Sequence, residues 1–423
     1  MIPGEVRGSP AGRPGHPDHR KSGRCRIGGE GKTAGSGGPS RDEATDPLAR
    51  FTRTAANCLA HAEAARAAGR PVVGILCEFT PRELIMAAGG VPVCLCGGSA
   101  ETAAAAEARL PANLCPLIKS TFGYHLAGTN HFLEMADLVV AETTCDGKKK
   151  MYELLAESRP LYVLELPHKV DDADAYRHWR RELDKLKAFL EERYGTAITA
   201  ERLREAIAAM NRERRLRRRV AALMEADAPP LTGRQLFTVK SSIACIPEDL
   251  RHYELILERY EGRSGDPARR EAVRVLMTCV PMATGAERVL HIIEEHGGLV
   301  VALESCSGLK PILQDVEEEA ADPLEALARK YFDLPCSVMT RNDRRLEMLG
   351  ELARRFRVHC LVDLVWQACL TYDVESARVR RHAEEELGLP YLRIETDYSP
   401  ADTARIAVRV EALFETVKER GSP

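Results

Sequence analysis

The chain has 423 residues, a formal net charge of −3 and 13 cysteines. That length allows two or three domains with cores of their own. The near-balanced charge argues against a general nucleic-acid binder, and no apolar run reaches the ~18 residues of a transmembrane helix. An odd number of cysteines excludes a purely intramolecular disulfide framework. The Gly/Pro/Arg-rich start has no apolar core and does not read as a secretory signal, so the expected compartment is the reducing cytoplasm.

Residues 1–45 hold 11 Gly and no Phe, Trp, Tyr or Leu. They bury too little apolar area to offset ordering entropy, so a disordered tail is predicted. Gly31-Lys32-Thr33 looks like the end of a phosphate loop. The first glycine of that motif would fall on Arg26 and no strand precedes it, so nucleotide binding is not expected. Ala-rich helical text from Phe51 to Ala68 opens a first lobe, 46–172. Its short apolar runs are 71-PVVGIL, 91-VPVCLC, 137-DLVVAE and 161-LYVLEL. Such runs, separated by helical text, predict buried parallel strands.

Residues 173–268 predict a helical connector, with charged helices over Asp174–Tyr194 and Thr199–Ala226 and helical text at 246–261. The basic stretch 211-NRERRLRRRV is either a solvated face or a docking surface for an acidic partner. A second lobe, 269–423, repeats the rhythm of the first with 273-VRVLMT, 298-GLVVALE, 358-VHCLVDLVW and 390-PYLRIE. The predicted fold is therefore α/β: two similar lobes with parallel sheets, joined by a helical segment, with a cleft between them as the place for a site.

The cysteines cluster where such folds bind ligands. Cys77, Cys145, Cys306 and Cys369 follow predicted strands at their carboxyl ends. Cys115 and Cys336 lie in loops beside or near Pro. Each lobe thus offers three thiols at wide spacing. That spacing argues against a zinc ribbon and is one thiolate short of a four-cysteine iron–sulfur site. Thiolates from both lobes could share one larger cluster, or an open iron could take substrate or sulfide.

The segments 77-CEFTPRELIMAAGGVPV, 143-TTCDGKKKMYELL, 304-ESCSGLKP, 330-KYFDLPCSVMTRNDRR and 368-ACLTYDVES, with the TDYS of 396–399, resemble the 2-hydroxyacyl-CoA dehydratase and benzoyl-CoA reductase superfamily. The resemblance is strongest to its single-chain, double-cubane-cluster branch and runs from about residue 50 to the end. It implies two flavodoxin-like lobes and an oxygen-sensitive iron–sulfur cluster, an [8Fe-9S] double cubane or a [4Fe-4S] cubane. The six ligands would be Cys77, Cys115, Cys145, Cys306, Cys336 and Cys369. It also implies electrons from a separate activator ATPase with its own [4Fe-4S] cluster, and a small-molecule or acyl-CoA substrate. The activity implied is an anaerobic reductase. The alternatives are a dehydratase subunit with one cubane, or a non-enzymatic electron carrier or cluster scaffold. This chain departs from the family pattern at Leu370, where His is usual, and at His359-Cys360, where Asp-Gly is common.

Around these ligands, Glu78, Lys119 and Lys310 are candidate proton donors. Lys148–Lys150 are either a solvated charge run, or they compensate cluster charge or contact an acidic partner or substrate; they are the first candidates for the activator's docking face, with Arg214–Arg219 second. Asp146 reads as an N-cap, and Thr80-Pro81 as N-cap and N1. Cys58, Cys94, Cys96, Cys245 and Cys360 are assigned to core or surface, and Cys25 to the tail. Cys279, which ends a strand, is held as a reserve ligand. A homodimer matching a two-fold activator is conjectured.

Overall fold

The computed structural model describes residues 46–283 and 286–421. The tail with Gly31-Lys32-Thr33 and Cys25 lies outside them. Eight strands form: β1 (Val72–Ile75), β2 (Val91–Cys94), β3 (Leu138–Glu142), β4 (Leu161–Leu164), β5 (Val273–Cys279), β6 (Gly298–Glu304), β7 (Cys360–Trp366) and β8 (Tyr391–Thr396). Each coincides with one of the eight apolar runs. β1, β3, β5, β6 and β7 are buried along their whole length. That double-sided covering is why they read as continuous apolar text and not as alternation.

Two parallel four-stranded sheets result, ordered β2-β1-β3-β4 and β6-β5-β7-β8. In each the chain steps outward once and then crosses back, so the order reverses at the β1/β3 and β5/β7 junctions. These are flavodoxin-like lobes, and the crevice at the strands' carboxyl ends beside each reversal is where such sheets bind ligands.

The connector helices Ala173–Tyr194, Ala200–Ala222 and Pro247–Tyr260 fuse the lobes. One apolar cluster joins Val73, Ile75 and Phe79 of the first lobe to Trp179, Leu183 and Leu186 of the connector and to Leu327, Tyr331 and Phe332 of the second lobe. The buried Trp179 Nε1 donates to the Ala328 carbonyl at 3.0 Å. Another cluster runs between the sheets themselves, from Val93 and Val139 to Val275, Met277 and Val362.

The basic run is largely paired within the chain. Arg214 is 2% exposed and pairs with Glu83 at 2.5 Å. Arg215 and Arg218 bind Asp315, Arg217 faces Glu213, and Arg219 binds Glu261. These arginines tie the connector to both lobes and to its own neighbours; the docking expectation is corrected for the buried Arg214, whereas Arg215 and Arg219 stay about half exposed. No helix among the described residues is long and apolar enough to cross a membrane.

Candidate functional site

The six cysteines stand where the topology places ligands. Cys77 is two residues past β1, and Cys306 is two past β6. Cys115, Cys145 and Cys369 are the N-cap residues of the helices Pro116–Ala127, Asp146–Ala156 and Leu370–Arg381. Nearby backbone N–H groups of Leu117 and Ile118, of Gly147 and Lys148, and of Tyr372 favour charge on these three sulfurs, although none of the three makes a side-chain capping hydrogen bond. A helix N-terminus favours a thiolate. Cys336 follows the helix Pro323–Phe332, and its N–H donates to the Leu334 carbonyl at 2.8 Å.

Mutual electrostatic influence sorts the six into two sets of three, each drawing on both lobes, although among the described residues no three of these sulfurs lie within 4.8 Å of one another. In the first, charge on Cys336 acts on Cys77 and on Cys306, and charge on Cys77 acts on Cys306. In the second, Cys115 and Cys369 are each the other's strongest influence, and Cys145 interacts with both. One group is thus Cys77 with Cys306 and Cys336, and the other Cys115 and Cys145 with Cys369. Each lobe contributes three thiols, but the sets are not lobe by lobe.

Burial pushes the Cys77 thiol up to about 12, with Lys148 opposing. Burial also raises Cys306, opposed by Lys310. In the second set, Cys115 is lowered and Cys369 raised, each chiefly by the other. Lys148 is held between the groups. Its Nζ donates to the Leu76 carbonyl at 2.6 Å, and it acts on Cys77, Cys115 and Cys145. Lys148 thus turns inward, toward the thiols. Lys149 and Lys150 stay outside, paired with Asp146 and Glu153. Lys310 is 3% exposed and locked by Glu304 at 2.8 Å and by the Tyr372 hydroxyl at 2.9 Å.

A cavity of about 530 Å3 opens on the first group. Cys77 and Cys306 reach its wall. Leu76, Leu95, Leu117, Met210 and Met282 make it apolar, and Lys148, Lys240, Lys330 and Arg82 bring charge. Glu78 lines it but is clamped by Arg82 through two bonds, at 2.7 and 2.9 Å. Burial works against the Glu78 carboxylate, yet Arg82 outweighs it and the pKa is lowered. Glu78 is thus a fixed carboxylate and not a proton donor. Lys119 points elsewhere, to Glu107 at 2.7 Å and the Ala112 carbonyl at 2.8 Å.

Cys279 and Cys360 join neither group. Cys279 is buried beside Glu304 and Ser305, and Cys360 is raised by burial alone. Cys94 and Cys96, expected in core or surface, instead line the cavity, where the Cys96 thiol donates to the Leu76 carbonyl at 3.4 Å. The signal was their C-x-C spacing at the carboxyl end of β2. Two capping expectations are also corrected. Thr80 is fully buried and spends its hydroxyl on Glu142, leaving Pro81 as N-cap. Cys145 holds the cap position that Asp146 was expected to fill.

Residues 77–417 match the family described as 2-hydroxyglutaryl-CoA dehydratase, D-component. The chain belongs to this family. It is 42% identical over 355 residues, 82% of its own length and 91% of the relative's, to the Escherichia coli (strain K12) protein named "Putative dehydratase subunit YjiM". It is 22% identical over 365 residues to the (R)-phenyllactyl-CoA dehydratase beta subunit of Clostridium sporogenes, covering 82% and 92% of the two chains. A benzoyl-CoA reductase subunit from Thauera aromatica is 20% identical over 306 residues, 71% of this chain and 78% of that one. Enzymes of this family thus include both dehydratases and a reductase, and this chain is an enzyme of that kind.

Proposed function

We propose that the chain is an iron–sulfur reductase of the double-cubane type, taking single low-potential electrons from an ATP-driven activator and passing them to a small substrate in the cavity. The observation that carries this reading is the pair of three-thiol groups drawn from both lobes, one of them opening on a mostly apolar chamber. An all-thiolate donor set suits iron–sulfur chemistry, and three thiolates per cubane leave one iron of each free for a bridge or ligand. The bound cluster would supply the electrons. The chain's own residues do the rest. Cys77, Cys306 and Cys336 would hold one cubane, and Cys115, Cys145 and Cys369 the other. Lys148 and Lys310 offset their negative charge, while the apolar wall limits water, and burial of this kind tunes reduction potential.

The second reading, a dehydratase subunit with a single cubane and a partner subunit, is favoured by the family description and by the names of the Escherichia coli and Clostridium sporogenes relatives. Anaerobic iron and sulfide analysis separates the two. About eight irons per chain supports the double cubane and about four the dehydratase subunit. A chain that holds no iron after anaerobic reconstitution refutes both, and one that surrenders its cluster readily to an apo-acceptor is a scaffold.

A further inference from the structure

The cavity wall carries more positive charge than the thiols explain. Six cationic side chains line it, against two carboxylates, Glu78 and Glu213. Four of the six are accounted for. Arg82 is paired with Glu78, Arg217 with Glu213, and Arg214 with Glu83 behind the wall. Lys148 faces the thiols. Lys240 and Lys330 remain.

Neither pairs with a carboxylate among the described residues. Lys240 Nζ donates to the Met282 carbonyl at 3.3 Å and sits 3.4 Å from the centre of the Phe237 ring. Lys330, 7% exposed, donates to the Pro311 carbonyl at 3.1 Å and lies 4.4 Å from the Tyr331 ring centre. Carbonyl dipoles and ring faces hold an ammonium group without neutralising it, and a buried charge lacking a counter-ion is costly. Cys94 and Cys279 favour the charge on Lys240, but neither lysine is a leading influence on the six assigned thiols. The cation acting on Cys77, Cys115 and Cys145 is Lys148, and that acting on Cys306 is Lys310.

The geometry points to Lys240 and Lys330 as anion-recognition groups of this cavity, and to a substrate that is a small organic acid with a free carboxylate and an apolar body. The apolar part follows from Leu76, Leu95, Leu117 and Met282 on the same wall. The charge balance agrees with it. Burial holds Lys240 down to about 7, with Glu287, Cys94 and Cys279 favouring its charge and Arg217 adding to the effect of burial. Burial likewise holds Lys330 to about 7, with Arg214 and Arg82 against its charge and Glu83 and Glu78 for it. An incoming carboxylate would stabilise both charged forms. The inference rests on the reading of this cavity as the substrate chamber.

The test is equilibrium binding of butyrate, butyramide and butyryl-CoA to the anaerobically purified, cluster-loaded protein, with iron content measured on the same samples. Butyrate is expected to saturate the protein, with butyramide at least about tenfold weaker. Lys240→Met and Lys330→Met should each weaken butyrate about tenfold or more, Lys330→Arg should restore most of the loss, and iron content should not change. Equal binding of butyramide, absence of saturable butyrate binding, or unaltered affinity in both Met variants overturns the proposal. So does a lysine-dependent preference for butyryl-CoA over butyrate, which would assign the cations to phosphates. Loss of iron in the Met variants would make them cluster-compensating groups and overturn it as well. Wild-type protein without iron would sink the proposed reductase, yet leave the three binding arms readable.

Discussion

Glu83→Gln breaks the junction that holds the two lobes around their shared thiols. Glu83 lies in the first-lobe helix Arg82–Ala87 and is fully buried. It accepts from Arg214 of the connector at 2.5 Å and from the Tyr331 hydroxyl of the second lobe at 2.7 Å. Arg214 also donates to Asn211 at 2.8 Å, and Asn211 exchanges bonds with the Val316 backbone at 2.7 and 2.9 Å. The variant keeps the shape but leaves a guanidinium buried without its charge partner, which costs about 3–5 kcal/mol. Removing both ends, as Glu83→Leu with Arg214→Met, should cost far less, because no orphaned charge remains. The assay is urea unfolding followed by Trp179 fluorescence in a Trp366→Phe background. Trp179 sits at this junction, and the chain has only two tryptophans. The pH dependence has a definite sign. Burial opposes the Glu83 carboxylate, but Arg214, Lys330 and Tyr331 outweigh it and hold its pKa below the ordinary 4.5. The unfolded chain therefore takes up the proton first. The pair's stabilisation is present above pH 4.5 and is lost as pH falls through the folded value. Glu83→Gln should lack that component. A Glu83→Gln cost under about 1 kcal/mol, the scale of an exposed pair, would refute the reasoning, as would a double variant as unstable as the sum of the singles.

Cys→Ser at any of the six assigned positions should lower iron per chain, while Cys279→Ser and Cys360→Ser should not. Loss at Cys360 with retention at Cys336, by colorimetric iron assay, would overturn the set. Lys148→Met removes a charged hydrogen bond worth about 1.5–3 kcal/mol beside four thiols and should weaken iron loading about tenfold or more. Normal iron content with slowed activator-driven reduction would instead support the docking role. Gly123→Ala would put a methyl 1.7 Å from the Thr102 carbonyl oxygen, forcing the helix Pro116–Ala127 and its cap Cys115 outward. A cost of about 1–3 kcal/mol or more and a lower iron content are expected, checked by thermal melting and iron assay.

The strands were legible because burial on both faces writes itself into four to seven consecutive apolar residues, and the cysteines were legible because they end those strands. Which thiols meet was not, since it depends on how the lobes dock. Cys77 finds Cys306 and Cys336 across more than two hundred residues of chain. The arginine run misled for the same reason. Its partners Asp315, Glu318 and Glu83 are 97 to 131 residues away, so local charge text does not reveal them. Thr80 misled because a tertiary acceptor, Glu142, outcompetes the local cap. Lys240 and Lys330 gave no sequence signal at all. What distinguishes them is the absence of a carboxylate partner among the described residues, which only the assembled cavity defines.

The two lobes bury similar polar sets with opposite protonation. In the first, Glu142 accepts from Thr80 with Lys148 nearby, and its second carboxylate oxygen has no hydrogen-bond partner among the described residues. Burial dominates and lifts it to about 7. In the second, Glu304 accepts from Thr278 and is faced by both Lys310 at 2.8 Å and Arg345 at 3.2 Å. Burial opposes its charge there too, but two cations overcome it and hold it at about 2. The additional guanidinium decides the difference. Glu304 is thus a permanent anion that fixes Lys310 in place, whereas Glu142 holds a proton up to near-neutral pH. Loading thiolates beside Lys148 would add negative charge next to Glu142 and raise its pKa further. Infrared difference spectra of carboxyl-labelled protein at pH 6 should therefore show a protonated-carboxyl band that disappears in Glu142→Gln and persists in Glu304→Gln. The reverse pattern would mean that the cations of the second lobe do not outweigh burial.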